Sequence, residues 1–453
     1  MFTNTDIILI VLLLLMIAVS LRNLVYVLWN IRFFINKRRS LLTNNPTKFF
    51  IIIPLMDEVT TVDTLIRSLN HLQYPKDKVE IVLATTVRER DTTGKNPTHE
   101  AILQYITTKA KKYPQDFNLR VVESPSITGY VATQNNFAIA SLKGEITEDD
   151  FIVFYNADSL PNKNTLLSAN AIIDVRGLEA NVLQQPSLFT KNLHDLLDQK
   201  QFSAAANGIH QSLWTLKHEA TMSRRQSKLS TKITSEMSAL RRFLLARFTV
   251  CVGHGLFVRK TYYDLHPLNE DANIEDTQYG LYQSLKKTPV FTIPLLENSE
   301  TPSTFKKVTA QKRGWFKLVF DLTKLLAQRS VPTFTNKQGR AEFISIVIQI
   351  VGVYLTWFMH SVFIIGALVW AILSGEIVLI LLWILFYALY WLVPAIILSI
   401  FHRKLTEGKG LQVYKVVATW LLGSGAIITH SLGPWLAIYD KLLGNTTRIK
   451  TER

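Results

Sequence analysis

The sequence has almost no cysteine, and this scarcity limits its covalent chemistry. Its 453 residues contain one cysteine, Cys251, so no disulfide can form within the chain, and a reducing, cytoplasmic setting is favoured. Zinc-binding spacings of cysteine and histidine are also missing, as are basic repeats interleaved with aromatic residues. The chain therefore lacks the usual signatures of nucleic-acid-binding proteins, and nucleic acid is not an expected partner.

Charged residues are nearly absent from four long apolar runs. The first extends from Ile7 to Trp29 with Arg22 as its only charge, and the others cover residues 343–373, 377–401 and 416–439. Because a helix needs about 20 apolar residues to cross a bilayer core, each run is a candidate membrane span. The first run lacks a preceding basic segment and a following small-residue cleavage site, which favours an uncleaved anchor over a signal peptide. The lack of buried charge disfavours an ion-coupled transporter.

The positive charge of the chain is concentrated beside these runs. Lysine and arginine number 50 against 35 acidic residues, a net charge of +15. Basic residues follow the first run, precede the second and follow the third, whereas the turn at 374–376 has none. The flanking basic residues include Arg32, Lys37, Arg38, Arg39, Lys317, Lys324, Arg329, Arg403, Lys404 and Lys409. The positive-inside rule therefore predicts a cytoplasmic middle domain, with Met1 on the other side of an inner or plasma membrane. Anionic membrane lipids are the expected partners of this charge.

The last apolar run allows two topologies. It is long enough to span once, which would export the basic tail. It also contains Gly423, Gly425, Gly433 and Pro434, which predict a broken or re-entrant helix if protein surrounds it. The sequence leaves both topologies open.

The chain divides into an N-terminal transmembrane anchor (1–40), a cytoplasmic domain (41–330) and a C-terminal transmembrane region (331–453). In the middle domain, apolar runs predict strands at 48–55, 78–85, 118–123 and 151–155, and helical patterns fall at 59–72, 98–112 and 132–142. This alternation predicts an α/β fold with a mostly parallel sheet. Ligands of such sheets bind at the carboxyl ends of the strands, where Asp158 follows the fourth strand.

Two basic regions of the middle domain have a helical pattern. Residues 190–250 form long helical material that either lies along lipid head groups or is a solvated insertion. Residues 315–328 alternate apolar and basic positions just before a span, which predicts an interfacial helix.

An ordered series of short motifs resembles the membrane-bound family 2 glycosyltransferases, the group that includes cellulose, chitin and hyaluronan synthases. The resemblance covers about residues 48–325. In chain order the motifs are Pro54 with Glu58, Leu65 to Leu69 with Tyr74-Pro75, Gly129 with Asn136-Phe137-Ala138, Asn156-Ala157-Asp158, Gly253-His254-Gly255 with Arg259, Glu275-Asp276-Thr277, and Gln311 to Trp315. The resemblance implies a GT-A nucleotide-sugar-binding domain and an inverting, hexosyltransferase-like enzyme.

The resemblance also assigns roles to residues. Asp276 matches the general base that removes a proton from the acceptor hydroxyl, and Asp158 matches a ligand of Mg²⁺ or Mn²⁺, which suit oxygen donors. The remaining candidates for donor or acceptor binding are Pro54, Glu58, Asn136, Asn156, Glu275, Gln311, Arg313 and Trp315. The structural alternatives are helix capping for Asp158 and Asp276, and an interfacial anchor for Trp315.

Three positions depart from the family pattern. Residues 84–87 read Ala-Thr-Thr-Val where the family has an aspartate pair, so base or ribose recognition would fall to Glu89 or Asp91. Asn156 replaces the first carboxylate of the metal corner. Arg313 stands one place early in its box, which puts processive extension in question.

The expected activity is transfer of a sugar from a nucleotide-sugar donor to a growing cell-surface polysaccharide. The alternatives are transfer of a single sugar to a membrane lipid acceptor, and a catalytically degenerate scaffold in a polysaccharide assembly complex.

Overall fold

A mostly parallel sheet forms the centre of the middle domain. The computed structural model describes residues 3–36, 45–109, 117–128, 130–234, 236–320, 322 and 337–444. The strands are β1 (Phe49–Pro54), β2 (Val79–Thr86), β3 (Asn118–Ser124), β4 (Phe151–Phe154), β5 (Val182–Gln184), β6 (Ser187–Leu188), β7 (Leu256–Arg259), β8 (Val290–Thr292) and β9 (Glu297–Asn298). Seven of them form one sheet in the order β3-β2-β1-β4-β7-β5-β8, and β6 pairs with β9. Only β7 runs antiparallel to its neighbours, so the predicted α/β class is confirmed.

Helices cover the sheet and extend from both ends of the domain. They are α1 (Asn4–Asn36), α2 (Val62–Asn70), α3 (Pro97–Gln104), α4 (Val131–Ser141), α5 (Thr165–Arg176), α6 (Leu193–Asp198), α7 (Phe202–Trp214), α8 (Ala220–Ser230), α9 (Ala239–Leu245), α10 (Lys260–Leu265), α11 (Glu275–Lys286), α12 (Phe305–Phe316), α13 (Lys337–Ser374), α14 (Ile377–Tyr387), α15 (Val393–Thr406), α16 (Val413–Ile428) and α17 (Leu432–Leu442). One π-helical turn joins α7 to α8, and another joins α14 to α15.

The four strands predicted from apolar runs are confirmed as β1 to β4. Strand β1 lies between β2 and β4, parallel to both, and its side chains Phe49 to Ile53 are buried. Burial on both faces requires a continuous apolar run rather than an alternating one. The predicted helices are confirmed as α2 and α3 with shorter bounds and as α4 shifted by one residue, and residues 110–112 of the second lie outside the described part.

Four helical segments are long and apolar enough to cross a membrane: 4–36, 339–374, 377–406 and 413–442. The predicted turn between the second and third is confirmed, since Gly375 adopts φ +67 between α13 and α14. The basic residues predicted to flank the spans at 37–39, 324 and 329 lie outside the described residues.

The last apolar run is a broken helix. Helix α16 ends at Ile428 and α17 begins at Leu432. The start of the segment is tied to the middle domain, because Lys415 Nζ lies 2.8 Å from Asp198 Oδ1 at the end of α6. The end is tied there too, because Arg313 of α12 pairs with Asp440 of α17. Both ends of this segment therefore contact the same domain.

The predicted helical, basic region at 190–250 consists of α6 to α9, and part of its charge is internal. Arg242 is buried and its Nη1 lies 2.9 Å from Glu342 Oε1 on α13. Lys287 Nζ contacts the other oxygen of Glu342 at 2.8 Å. These pairs hold the start of α13 against the middle domain. Neither prediction for this region, a helix along lipid head groups or a solvated insertion, included such a role.

Candidate active site

Two adjoining cavities lie at the carboxyl ends of the strands. The first, the sheet-edge cavity, measures about 380 Å³ and is bordered by Pro54, Glu58 and Glu275. The second, the membrane-side cavity, measures about 250 Å³ and extends toward α13. Both are lined by Asn156, Ile274, Asp276, Gln311 and Trp315. The structure therefore brings the candidate residues Asn156, Asp276, Gln311 and Trp315 together.

Asp276 occupies the first turn of α11, at the junction of the two cavities. One carboxylate oxygen, Oδ2, accepts a hydrogen bond from the backbone N–H of Gly253. The other, Oδ1, accepts from the backbone N–H of Thr277 at 2.5 Å and from its hydroxyl at 3.2 Å. These donors fix the orientation of the carboxylate, while burial raises its pKa despite the opposing hydrogen bonds. A raised pKa moves a carboxylate toward the range that suits a general base.

A close backbone contact positions α11 beneath this carboxylate. A Cβ added to Gly280 would lie 2.3 Å from the backbone nitrogen of Cys251. Only glycine therefore lets the helix approach the 250–253 segment, which in turn supplies the N–H of Gly253. Cys251 itself is fully buried in this contact, and burial raises the pKa of its thiol.

His254 lies in the electrostatic field of three carboxylates, those of Asp276, Glu219 and Glu297. Its Nδ1 lies 2.8 Å from Oε2 of Glu297, which is completely buried in β9. Burial alone would lower the pKa of His254, but the charges of Glu297, Glu219 and Asp276 outweigh it and raise the pKa. Burial also raises the pKa of Glu219 to about 6. Glu219 and Glu297 belong to no sequence motif, so their participation was not predicted.

Asp158 and Asn156 follow β4 at the edge of the membrane-side cavity. The backbone N–H of Asn156 donates to Ser159 Oγ at 3.1 Å, which stabilises the turn. The main-chain oxygen of Asp158 accepts from Lys191 Nζ at 3.4 Å. Lys191 also forms a 2.9 Å ion pair with Glu300, another residue of this cavity.

These residues fit a divalent ion that arrives with phosphate. Among residues the structure describes, no three His, Cys, Asp or Glu side chains form a group that could hold a metal by themselves. Asp158 supplies one carboxylate and Asn156 one amide oxygen. Mg²⁺ is commonly held by one or two carboxylates together with substrate phosphates and water, so this donor set suits an ion shared with a diphosphate.

Helix α12 presents its motif residues in different directions. Gln311 is buried and its Oε1 accepts from Gln211 Nε2 at 2.9 Å, whereas Trp315 is 37% exposed above both cavities. Arg313 lines neither cavity and instead pairs with Asp440 through two hydrogen bonds, one of them 2.5 Å from Nε to Oδ2. A buried carboxylate requires such a cation, so the structure does not place Arg313 with its predicted companions. Trp315 lies near the end of α12 rather than at the start of a helix, and residues 323–328 lie outside the described part.

Asn136 also lies away from the cavities. Its Nδ2 donates to the carbonyl of Leu268 at 3.1 Å and to Glu270 at 2.7 Å, while its Oδ1 accepts from Tyr263. These bonds join α4 to the loop after α10. Gly129 of the same motif lies outside the described residues.

The sheet-edge cavity is also lined by residues that the sequence motifs did not indicate. Arg88 borders it, with its guanidinium 5.4 Å from the ring centroid of Tyr130, another lining residue. Neither Glu89 nor Asp91 lines the cavity. Glu89 Oε1 accepts from the backbone N–H and the hydroxyl of Thr98 at the start of α3. Asp91 Oδ1 accepts from Thr93 and Lys95 in its own loop. The structure therefore does not bring Glu89 or Asp91 to this cavity.

Comparison with known proteins gives limited similarity. No protein-family model matches the chain. Over 127 residues it is 28% identical to the poly(ribitol-phosphate) beta-N-acetylglucosaminyltransferase TarS of Staphylococcus aureus, in strains Mu50 and MW2. The match covers 28% of this chain and 19% of TarS, so the chain spans about a fifth of the curated relatives' length.

Comparison with solved structures gives partial matches. Mannosyltransferase PcManGT from Pyrobaculum calidifontis, in complex with GDP-Man and Mn²⁺, is 13% identical, with a TM-score of 0.44 over 95% of this chain and 99% of that one. S. aureus TarS 1-349 in complex with UDP-GlcNAc is 14% identical, with a TM-score of 0.36 over 89% of this chain and 94% of that one. The chain is thus similar in sequence, over one segment, to a glycosyltransferase.

Proposed function

We propose that the protein is an inverting glycosyltransferase of the membrane-bound family 2 type, which transfers a sugar from a nucleotide-sugar donor to an acceptor at the membrane. The observation that carries this proposal is the position of Asp276. Its half-buried carboxylate lies where the two cavities meet, which suits a base between a donor and an acceptor that enter from opposite sides.

The sheet-edge cavity would bind the donor. Its location at the carboxyl ends of β1 and β4 suits a nucleotide in an open α/β sheet. Arg88 and Lys317 provide positive charge at its border, and Tyr130 provides an aromatic face. Asp158 at the edge of the membrane-side cavity and Asn156, which lines both cavities, would hold Mg²⁺ or Mn²⁺. The diphosphate would then lie at the junction of the two cavities, where the ion would neutralise its charge.

The proposed reaction is a single displacement. Asp276 accepts the proton of the acceptor hydroxyl, whose oxygen forms a bond to the anomeric carbon. The bond from that carbon to the nucleoside diphosphate breaks, and its electron pair leaves with the diphosphate. Attack from the face opposite the leaving group inverts the anomeric configuration.

The proposed acceptor is a growing cell-surface polysaccharide, and Trp315 would stack against one of its sugars. Transfer of a single sugar to a lipid is the second candidate. It is favoured by the membrane-side cavity, which is lined by Val353, Tyr354 and Trp357 of the apolar helix α13.

The proposed setting is an inner or plasma membrane with the catalytic domain in the cytoplasm. The proposed divisions are an anchor at 1–40, the catalytic domain at 41–330 and a membrane region at 331–453. The contacts Lys415–Asp198 and Arg313–Asp440 tie both ends of the last segment to the catalytic domain. They support a re-entrant segment whose tail remains on the catalytic side.

The deciding experiment measures release of nucleoside diphosphate from a panel of nucleotide sugars by the full chain in lipid, with and without Mg²⁺ or Mn²⁺. We expect turnover of one donor, and a loss of about 10²- to 10⁴-fold in Asp276→Asn. Asp271→Asn is the matched control, because this exposed aspartate lies in the loop just before α11 and lines neither cavity. Full turnover by Asp276→Asn would refute the assignment of the base.

A second experiment tests the metal ligand. Asp158→Ala should lose metal-dependent binding of nucleoside diphosphate in the folded protein, because the main carboxylate at the cavity edge is removed. Unchanged binding with metal would contradict this role. Product size then separates the acceptors, since a ladder indicates polymer extension and a single lipid-soluble product indicates one transfer.

A further inference from the structure

A third and larger cavity lies between the membrane helices and the catalytic domain. This chamber measures about 770 Å³ and is lined by residues of α1, of the α7–α8 helix, of α9 and of the first half of α13. It adjoins the membrane-side cavity, because His210, Trp214, Met222, Phe248, Val353, Trp357 and His430 line both. A ligand in the chamber can therefore extend toward Asp276.

The chamber carries positive charge without negative charge. Its lining includes Arg22, Lys217, Arg225 and Arg247, and in the described part of the chain no aspartate or glutamate lines it. Arg225 and Arg247 are half-buried. Burial and the neighbouring charge of Arg225 lower the pKa of Arg247, which indicates that the two guanidinium groups repel each other.

The contacts of these cations are with neutral groups. Arg225 Nη1 donates to the hydroxyl of Tyr26 at 3.1 Å, and Arg247 Nη1 donates to the carbonyl of Ala246 at 2.7 Å. Arg22 Nη2 donates to Asn23 Oδ1 at 3.3 Å. Clustered charges without carboxylates are costly in a low-dielectric site. An anionic ligand would offset that cost, and guanidinium groups match phosphate geometry.

The chamber also has a side toward the bilayer. Helices α1 and α13 meet at the far end of the membrane region, where Trp370 Nε1 donates to Asp6 Oδ1 at 3.0 Å. Nearer the catalytic domain, the chamber lies between them. Val19 of α1 and Ile348 of α13, both lining residues, are 37% and 56% exposed. An acyl or isoprenoid chain could therefore remain in lipid while its head group lies among the arginines.

We infer that the chamber binds the phosphate or diphosphate head group of a lipid-linked acceptor, with Arg22, Arg225 and Arg247 contacting the phosphate oxygens. This inference rests on the proposed function, because it takes Asp276 as the base. The sugar carried by such a lipid would reach the membrane-side cavity and present its hydroxyl there.

The test measures retention of lipid by the full chain purified in detergent. The probes are fluorescent phosphatidic acid, which carries a phosphate head group, and phosphatidylcholine with the same label, whose head group has no net charge. We expect preferential retention of phosphatidic acid, weakened about fivefold by either Arg225→Gln or Arg247→Gln. The matched control is Arg241→Gln, which removes an exposed arginine of α9 that does not line the chamber.

Inorganic diphosphate separates the two sources of the anion. If inorganic diphosphate displaces the fluorescent phosphatidic acid only weakly, the ligand of the chamber is a lipid. If it displaces the probe as strongly as unlabelled phosphatidic acid does, the chamber binds a soluble anion. Equal retention by the wild type and the Arg225→Gln/Arg247→Gln double variant would overturn the inference.

Folding and donor chemistry are monitored on the same samples. If positive charge in the chamber causes the retention of phosphatidic acid, the charge-preserving variants Arg225→Lys and Arg247→Lys should retain this lipid. Loss of retention in these variants, when they are folded, would contradict a role of charge in lipid binding. Donor turnover is measured separately. Absence of turnover in the wild type would refute the proposed function, whereas unaltered lipid retention in the double variant would refute only the inference about the chamber.

Discussion

Adding one methyl group at Gly253 should displace the carboxylate of Asp276, the proposed base, with little effect on the fold. An alanine Cβ at this position would lie 3.0 Å from Asp276 Oδ2, the oxygen that accepts the N–H of Gly253. Ordinary contacts of a Cβ begin at 3.4 Å, so the carboxylate must move by about 0.4 Å. A misplacement of 1 Å can cost about 10²-fold in rate. We therefore expect Gly253→Ala to lower kcat by about tenfold.

The assay compares kcat and KM for the donor between Gly253→Ala and Gly410→Ala. Gly410 is a suitable control because its added Cβ would lie at an ordinary distance, 3.8 Å from the Cβ of Arg403. The expected change in Gly253→Ala is confined to kcat, with the melting temperature close to that of the wild type. A folded Gly253→Ala protein with unchanged kcat would refute the reasoning that this contact positions Asp276.

Three further variants test other parts of the structure. Arg88→Ala should raise KM for the donor about tenfold while kcat changes little, because Arg88 borders only the sheet-edge cavity; steady-state kinetics checks this, and a loss confined to kcat would contradict it. Burial raises the pKa of Glu219 from 4.5 to about 6 in the folded protein. The folded state therefore favours the protonated side chain, and the stability that this contributes is complete below about pH 4.5 and is lost as the pH rises through about 6. The stability of the wild type relative to Glu219→Gln should therefore fall by about 2 kcal/mol over that interval in denaturant titrations, and a constant difference would refute the shift. Asp440→Asn should destabilise the fold by about 3 kcal/mol, because Arg313 loses its buried partner; thermal unfolding measures this, and an unchanged transition would show that the pair is dispensable.

The sequence was sufficient to predict the mostly parallel sheet. Runs such as Phe49 to Ile53 are unambiguous because burial on both faces demands continuous apolar residues. The sequence could single out Asp276 and Trp315 as candidates because their motifs are local and the chain order of the motifs limits where each can lie, and the structure brings both to the same cavities. These predictions needed only neighbouring residues or the regular alternation of strands and helices.

Contacts between distant parts of the chain were not predictable. Arg313 pairs with Asp440, which is 127 residues away, and nothing in the local sequence of either residue indicates the other. The same holds for Glu297, whose contact with His254 depends on how β9 packs beside the loop before β7. Arg242 has the appearance of a surface cation in its helix, yet its partner Glu342 is on α13.

The buried position of Cys251 has a practical consequence for topology mapping. The protein has a single thiol, and that thiol is enclosed and poorly ionised. Thiol-reactive reagents attack the thiolate, so native protein should give almost no background labelling. A cysteine introduced at exposed Leu443, just beyond α17, would be the dominant reactive site, and a membrane-impermeant maleimide added to sealed vesicles of known orientation would report the side of the bilayer on which the segment ends.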